Sequence, residues 1–219
     1  MANQDSFIDE VTEEVRRDRL FTLMRRYGWI AVLAVVLIVG GAAWNEWRKA
    51  TDRAAAQALG DALIAALETE DAQARKGALE TMDAGDNADL AALVGLLIAE
   101  TDSATGNAGA AVADLDALAA APGISPVYRD LAALKAVMIG AGTLSPADRI
   151  ARLQGLALPG APYRLLALEQ IALAEIDRGD TDAALARLNE IAGDSGASQG
   201  LRNRATQVIV VLGGATDGA

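Results

Sequence analysis

Two pairs of carboxylates, Asp114 with Asp116 and Asp180 with Asp182, come closest to a reactive arrangement in this chain. Paired carboxylates do general acid and base work when burial or mutual repulsion drives their pKa values apart. That requires two side chains on one face. A spacing of two separates them on a helix, where facing neighbours are three or four residues apart. Both pairs fall at or near a helix start, so capping and the helix dipole account for them. Asp180-Thr181-Asp182 begins like a calcium loop, but the later glycine and glutamate ligands are absent. The chain has no histidine and no cysteine. It therefore lacks the commonest general base, the commonest metal ligand, thiol chemistry and disulfides. Its glycines are scattered, and no Gly-Lys-Ser or Gly-Lys-Thr marks a phosphate loop. These residues predict no catalytic site, no cofactor, no metal and no small-molecule substrate, and so a protein that is not an enzyme.

The elements around these residues are more informative. Residues Tyr27 to Asn45 form an uncharged apolar run between Arg26 and Glu46. At a rise of 1.5 Å per residue, roughly 19 residues reach about 28 Å, close to the hydrocarbon thickness of a bilayer. Tyr27 and Trp29 lie at one rim and Trp44 and Trp47 at the other, as interfacial aromatic anchors do. All three tryptophans of the chain are at these rims. Arg16, Arg17, Arg19, Arg25 and Arg26 precede the run, and Arg48, Lys49 and Arg53 follow it. That bias predicts a cytoplasmic N-terminus and an exported C-terminal part. The competing reading is a cleaved signal peptide, with Gly41, Ala42 and Ala43 near a small-residue cleavage site. A long leading segment with six acidic residues, and a helical pattern continuing through Trp44, Glu46 and Trp47, favour an uncleaved anchor.

From residue 45 onward, 24 acidic residues face 14 basic ones. Such a surface repels nucleic acid, whose binding rests on phosphate neutralisation, and disfavours lying flat on anionic lipid. Alanine and leucine dominate this part while β-branched and aromatic residues are sparse, which favours helix over sheet.

A repeat is visible there. Gly106-Asn107 through Leu115 resembles Gly179-Asp180 through Leu188, 73 residues on, about twice a unit of 35 to 37. Tyr128-Arg129 recurs as Tyr163-Arg164, and Ala151-Arg152-Leu153 as Ala186-Arg187-Leu188, each after 35 residues. In the best copy a helix over 162–178, with Leu165, Leu168, Ile171 and Leu173 at helical spacing, ends at Gly179. Asp180 is placed to cap the next helix, which turns Ala183, Ala184, Leu185, Leu188 and Ile191 inward. Small Ala184 and Ala111 admit close helix approach, and Leu188 and Leu115 fill the space beside them. Helix, turn, helix at this period is an α-solenoid. Ser125-Pro126 and Ser145-Pro146 each read as a cap followed by proline at the first helical position.

The expected organisation is all-α: one N-terminal transmembrane helix followed by a TPR-like α-solenoid. A cytoplasmic head with a short amphipathic helix occupies 1–26, carrying Phe7, Ile8, Val11, Val15 and Leu20 on one face. The span covers 27–47, and a helical connector packing on the array covers 48–88. The repeats occupy 89–213, and the tail 214–219 reads as disordered.

At Gly179-Asp180, Ala184 and Leu188 the chain resembles the tetratricopeptide repeat, with Ala172 at a small-residue position of the first helix. It departs from that pattern at Glu175, where an aromatic is usual, and at Ile191, where a small residue is usual. The layout of short charged head, single span and repeat domain resembles the YfgM-like ancillary subunits of the bacterial Sec translocon. That resemblance implies an inner-membrane protein with a periplasmic TPR-like domain. It also implies two partners, the Sec translocon channel and a membrane-anchored periplasmic prolyl-isomerase-type chaperone. The role implied is hand-over of newly translocated proteins. An envelope scaffold for division, secretion or outer-membrane assembly is the alternative.

Overall fold

The computed structural model describes the backbone of residues 2–214 and the side chains of residues 25–214 except Tyr27, Ala31 and Val32. The Tyr27 anchor, the apolar face of the head and the tail from residue 215 lie outside the described residues. The described chain is all-α, a long apolar N-terminal helix followed by stacked helices of a TPR-like domain. It forms two compact units, Met1–Asp61 and Ala62–Ala219.

The described part of the first unit lies within helix α1, Ala2–Glu68, which runs without interruption through the charged head, the apolar run and 48–61. An 18-residue window within its Gly28–Glu68 part has a mean hydropathy of 1.9, and none of it is buried. One helix of the described residues is therefore long and apolar enough to cross a membrane. Trp29, Trp44 and Trp47 are all exposed, and the rings of Trp44 and Trp47 pack at a centroid distance of 5.3 Å.

The second unit begins with the last turns of α1. Ala66 there packs with Leu79 and Val94, and Leu63 packs against them. Of the stretch 48–88, then, the part from Ala62 shares a unit with the repeats, and 48–61 falls in the first unit. α2 spans Ala72–Glu80 and α3 spans Ala88–Ala104, capped by Asp71 and Asn87, whose side chains accept from the N–H groups of Ala74 and Leu90. α4 covers Ala108–Ala120 and α5 Pro126–Ile139. A 3-10 turn, Gly140–Gly142, leads to α6, Pro146–Leu153. α7 covers Arg164–Asp177, α8 Thr181–Gly193 and α9 Gln199–Val211.

Packing is sequential. Leu96 and Ala99 of α3 close on Ala111 and Leu115 of α4 and on Ala132 and Ala136 of α5. The other face of α5, Leu134 and Val137, meets Leu153 of α6 and Ala167 and Ile171 of α7. The next face of α7, Leu168 and Ala172, meets Ala184, Leu188 and Ile191 of α8 and Leu201, Ala205 and Ile209 of α9. α3, α5 and α7 thus each serve two cores, Val94 of α3 joining the core of Ala66 and Leu79, which is how a solenoid buries a continuous interior.

The two best copies agree from the turn through the second helix. α4 and α8 begin and end 73 residues apart. Gly106 and Gly179 sit at φ +87° and +81°, a left-handed conformation that glycine adopts without strain. Past each glycine the same bond closes the turn. The N–H of Asn107 donates to the Asp102 carbonyl, and that of Asp180 to the Glu175 carbonyl, both at 2.8 Å.

Two expected caps differ. Asp180 stands at the N-cap of α8, but its side chain makes no cap bond and instead accepts from Arg178 at 2.8 Å. A charged guanidinium two residues away outcompetes a backbone N–H for that carboxylate. Ser125 also makes no cap bond; its own N–H donates to Asp89 at 2.7 Å. Ser145 does cap, accepting from the Asp148 N–H at 3.1 Å. Among the residues expected to turn inward, Ala184, Leu188 and Ile191 are buried, whereas Ala183, Leu185 and Leu173 remain partly accessible.

Candidate protein-interaction surface

The four residues singled out for repeat packing, Ala111, Leu115, Ala184 and Leu188, are all essentially inaccessible. Ala111 and Ala184 occupy the same place in the two copies, on the second helix facing the first. Leu115 and Leu188 follow one turn later.

The acidic pairs do not converge. Asp114 is exposed, whereas Asp116 accepts from Arg152 of α6 at 2.8 and 2.9 Å. Asp180 is taken by Arg178, and Asp182 is exposed. Among the described residues no group of three or more acidic side chains gathers as a metal site would require.

The carboxylates that are buried are different ones, and they hold the repeats together. Asp102, at the end of α3, is 1% exposed and accepts from Lys76 of α2 at 2.7 and 2.8 Å. The Asp102 hydrogen bond holds the Lys76 ammonium protonated above its ordinary range, with the charges of Asp102, Glu80 and Asp114 adding and desolvation opposing. Glu175 is the equivalent residue 73 positions on. It is 3% exposed and accepts from Arg187 of α8 at 2.8 and 2.9 Å. Glu175 thus fills the place where the tetratricopeptide pattern expects an aromatic. A second set of ion pairs joins helices one repeat apart: Glu100 with Lys135, Asp116 with Arg152, and Glu169 with Arg204. The Glu169 hydrogen bond raises the Arg204 pKa further. These pairs carry their signal in the sequence, since their members are 35 or 36 residues apart.

With most cations committed internally, the array presents surplus carboxylate and a few apolar side chains. Val127 and Met138 of α5 and Leu166 of α7 are exposed on helices that pack together. A cleft of about 450 Å³ opens beside Leu166, walled by Pro162, Tyr163 and Arg164 on one side and by Asp194, Ser198 and Leu201 on the other. Arg164 is fixed in its wall by Glu190 at 2.6 Å and by Asp194. Burial pushes the Tyr163 phenol up, and the charge of Asp130 and neighbouring Tyr128 add to it. The surface offers hydrogen-bonding groups, apolar contacts and charge on a stacked-helix frame, which is the equipment of a protein-binding scaffold.

Fold and surface together define a repeat protein with a long apolar N-terminal helix. The family model of the tetratricopeptide repeat-like domain matches residues 24–155, more than half of the chain. The chain belongs to this family, which includes YfgM-like proteins. The matched segment takes in the apolar helix and the array through α6, and the equivalence at 73 residues extends the same architecture through α8. No curated protein and no solved structure matches the chain.

Proposed function

We propose that this protein is a single-span inner-membrane protein whose exported array binds protein partners without catalytic turnover. The observation that carries the proposal is one family match running unbroken from the apolar helix into the repeats. Anchor and array are parts of one inherited unit. The arginine bias around the span supports a cytoplasmic N-terminus and a periplasmic array. Tethering raises the effective concentration of the array near any chain emerging at the membrane. By likeness to YfgM-like proteins, the partners are the Sec channel and a membrane-anchored periplasmic chaperone of the prolyl-isomerase type. The role is then hand-over of newly translocated proteins. The acidic balance favours partners with basic faces and binding that weakens with salt.

Crosslinking and affinity capture of the full chain from native membranes tests this reading. Recovery of the Sec channel supports it. Recovery of division or outer-membrane assembly machinery without the channel assigns an envelope scaffold instead.

A further inference from the structure

We propose that Arg129 is a receptor for an acidic side chain of a protein partner. The inference rests on the protein-binding reading of the array and adds a site and a chemistry to it. Every other Lys or Arg from Lys76 to Arg204 holds a carboxylate or a carbonyl oxygen within the chain. The side chain of Arg129, in the first turns of α5, makes no hydrogen bond or ion pair among the described residues, and its Nε is buried without an acceptor. Asp130, next to it, makes no ion pair with it.

The repeat explains the deficit. Arg129 corresponds to Arg164, 35 residues on, which Glu190 and Asp194 hold at the end of α8. α6 and α8 start in the same register, Pro146 against Thr181, and their fully buried Leu153 and Leu188 correspond. α8 continues to Gly193, but α6 stops at Leu153, five residues before the equivalent point. The residues equivalent to Glu190 and Asp194 are Gly155 and Pro159, which carry no charge. The middle repeat therefore keeps the cation and lacks both of its anions. An acidic side chain on a partner matches this arrangement, its carboxylate taking the place of the missing anions. On an otherwise acidic surface, one uncommitted guanidinium is also a specific orienting mark.

The test is a titration of the full chain in detergent, labelled with ¹⁵N-arginine, using the capped peptides Leu-Glu-Leu and Leu-Gln-Leu. The Arg129 Nε–Hε resonance is expected to shift saturably with the glutamate peptide and not with the glutamine peptide. Arg129→Gln is expected to weaken the glutamate peptide by about tenfold or more, the scale of a charge-assisted hydrogen bond, with no loss of melting temperature. Equal responses to the two peptides, or no response, overturn the site. A fall of more than about 5 °C in the variant overturns it too, because such a fall marks a structural role. The titration needs no natural partner. Its failure therefore leaves the protein-binding reading standing, and a failed capture from membranes leaves the site standing.

Discussion

Leu188→Ala probes whether stability in this array is local or global. Leu188 is 1% exposed in a core whose other buried residues include Ala172, Ala184, Ala197 and Ala205. Truncating a buried leucine costs about 2–5 kcal/mol, depending on how far the neighbours collapse into the void. Four alanines have no side-chain reach to offer, so the cost should stay clear of the lower end of that range, at about 3–4 kcal/mol. In a linear array each repeat contacts only its neighbours. The loss should then appear first in α7 to α9. By hydrogen exchange of the full chain in detergent, amides of α8 and α9 should lose about 100- to 1,000-fold in protection, the factor that energy corresponds to. Amides of α3 and α4, whose core shares no residue with that one, should change by less than about threefold. A destabilisation below about 1 kcal/mol would refute the packing argument. An equal loss across α3 to α9 would refute the linear one.

Removing one partner of the Glu175–Arg187 pair should be asymmetric. Arg187→Met strands a buried carboxylate and should cost about 3–5 kcal/mol, whereas Glu175→Met leaves a partly exposed guanidinium that water can solvate and should cost less than half as much, read by thermal melts. Gly179→Ala should destabilise by about 1–2 kcal/mol because its φ of +81° is left-handed. Gly109→Ala, inside α4 with open space around its Cα, should stabilise by about 0.5–1 kcal/mol. Lys76 and Tyr163 both have raised pKa values in the folded chain. For both, the native state holds its proton more tightly, so this contribution is complete below their ordinary values near 10 and is lost as pH rises through the folded values. Denaturation midpoints should fall above about pH 10, and less steeply in Tyr163→Phe.

The sequence is most legible where one residue type is physically required. The apolar run, the glycines at Gly106 and Gly179 and the small residues Ala111 and Ala184 mark α1 and two helical hairpins, because a left-handed turn needs glycine and a close helix approach needs a small side chain. Competition among side chains is less legible. Asp180 has the right type and place for a cap, yet Arg178 takes it. The buried carboxylates are hidden for a related reason: Asp102 is satisfied by Lys76, 26 residues earlier on another helix. Glu175 reads as a departure from the repeat pattern until Arg187 is found beside it. The early end of α6 does have a signal, in Gly155, Pro159 and Gly160, but the buried leucine at its last position masks it. The exposed apolar side chains and the cleft depend on which helices stack.

If the array meets protein partners outside the membrane, as proposed, a photocrosslinker placed at Met138 in the full chain should capture them. Met138 is half exposed on α5, among the apolar side chains that the array presents. In intact cells the Met138 probe should give a discrete adduct with an exported or membrane-embedded protein, the Sec channel or the membrane-anchored chaperone foremost, and a weaker one from the same probe at Ala219. Adducts only with cytosolic proteins, or none while the array remains folded, would contradict the proposal.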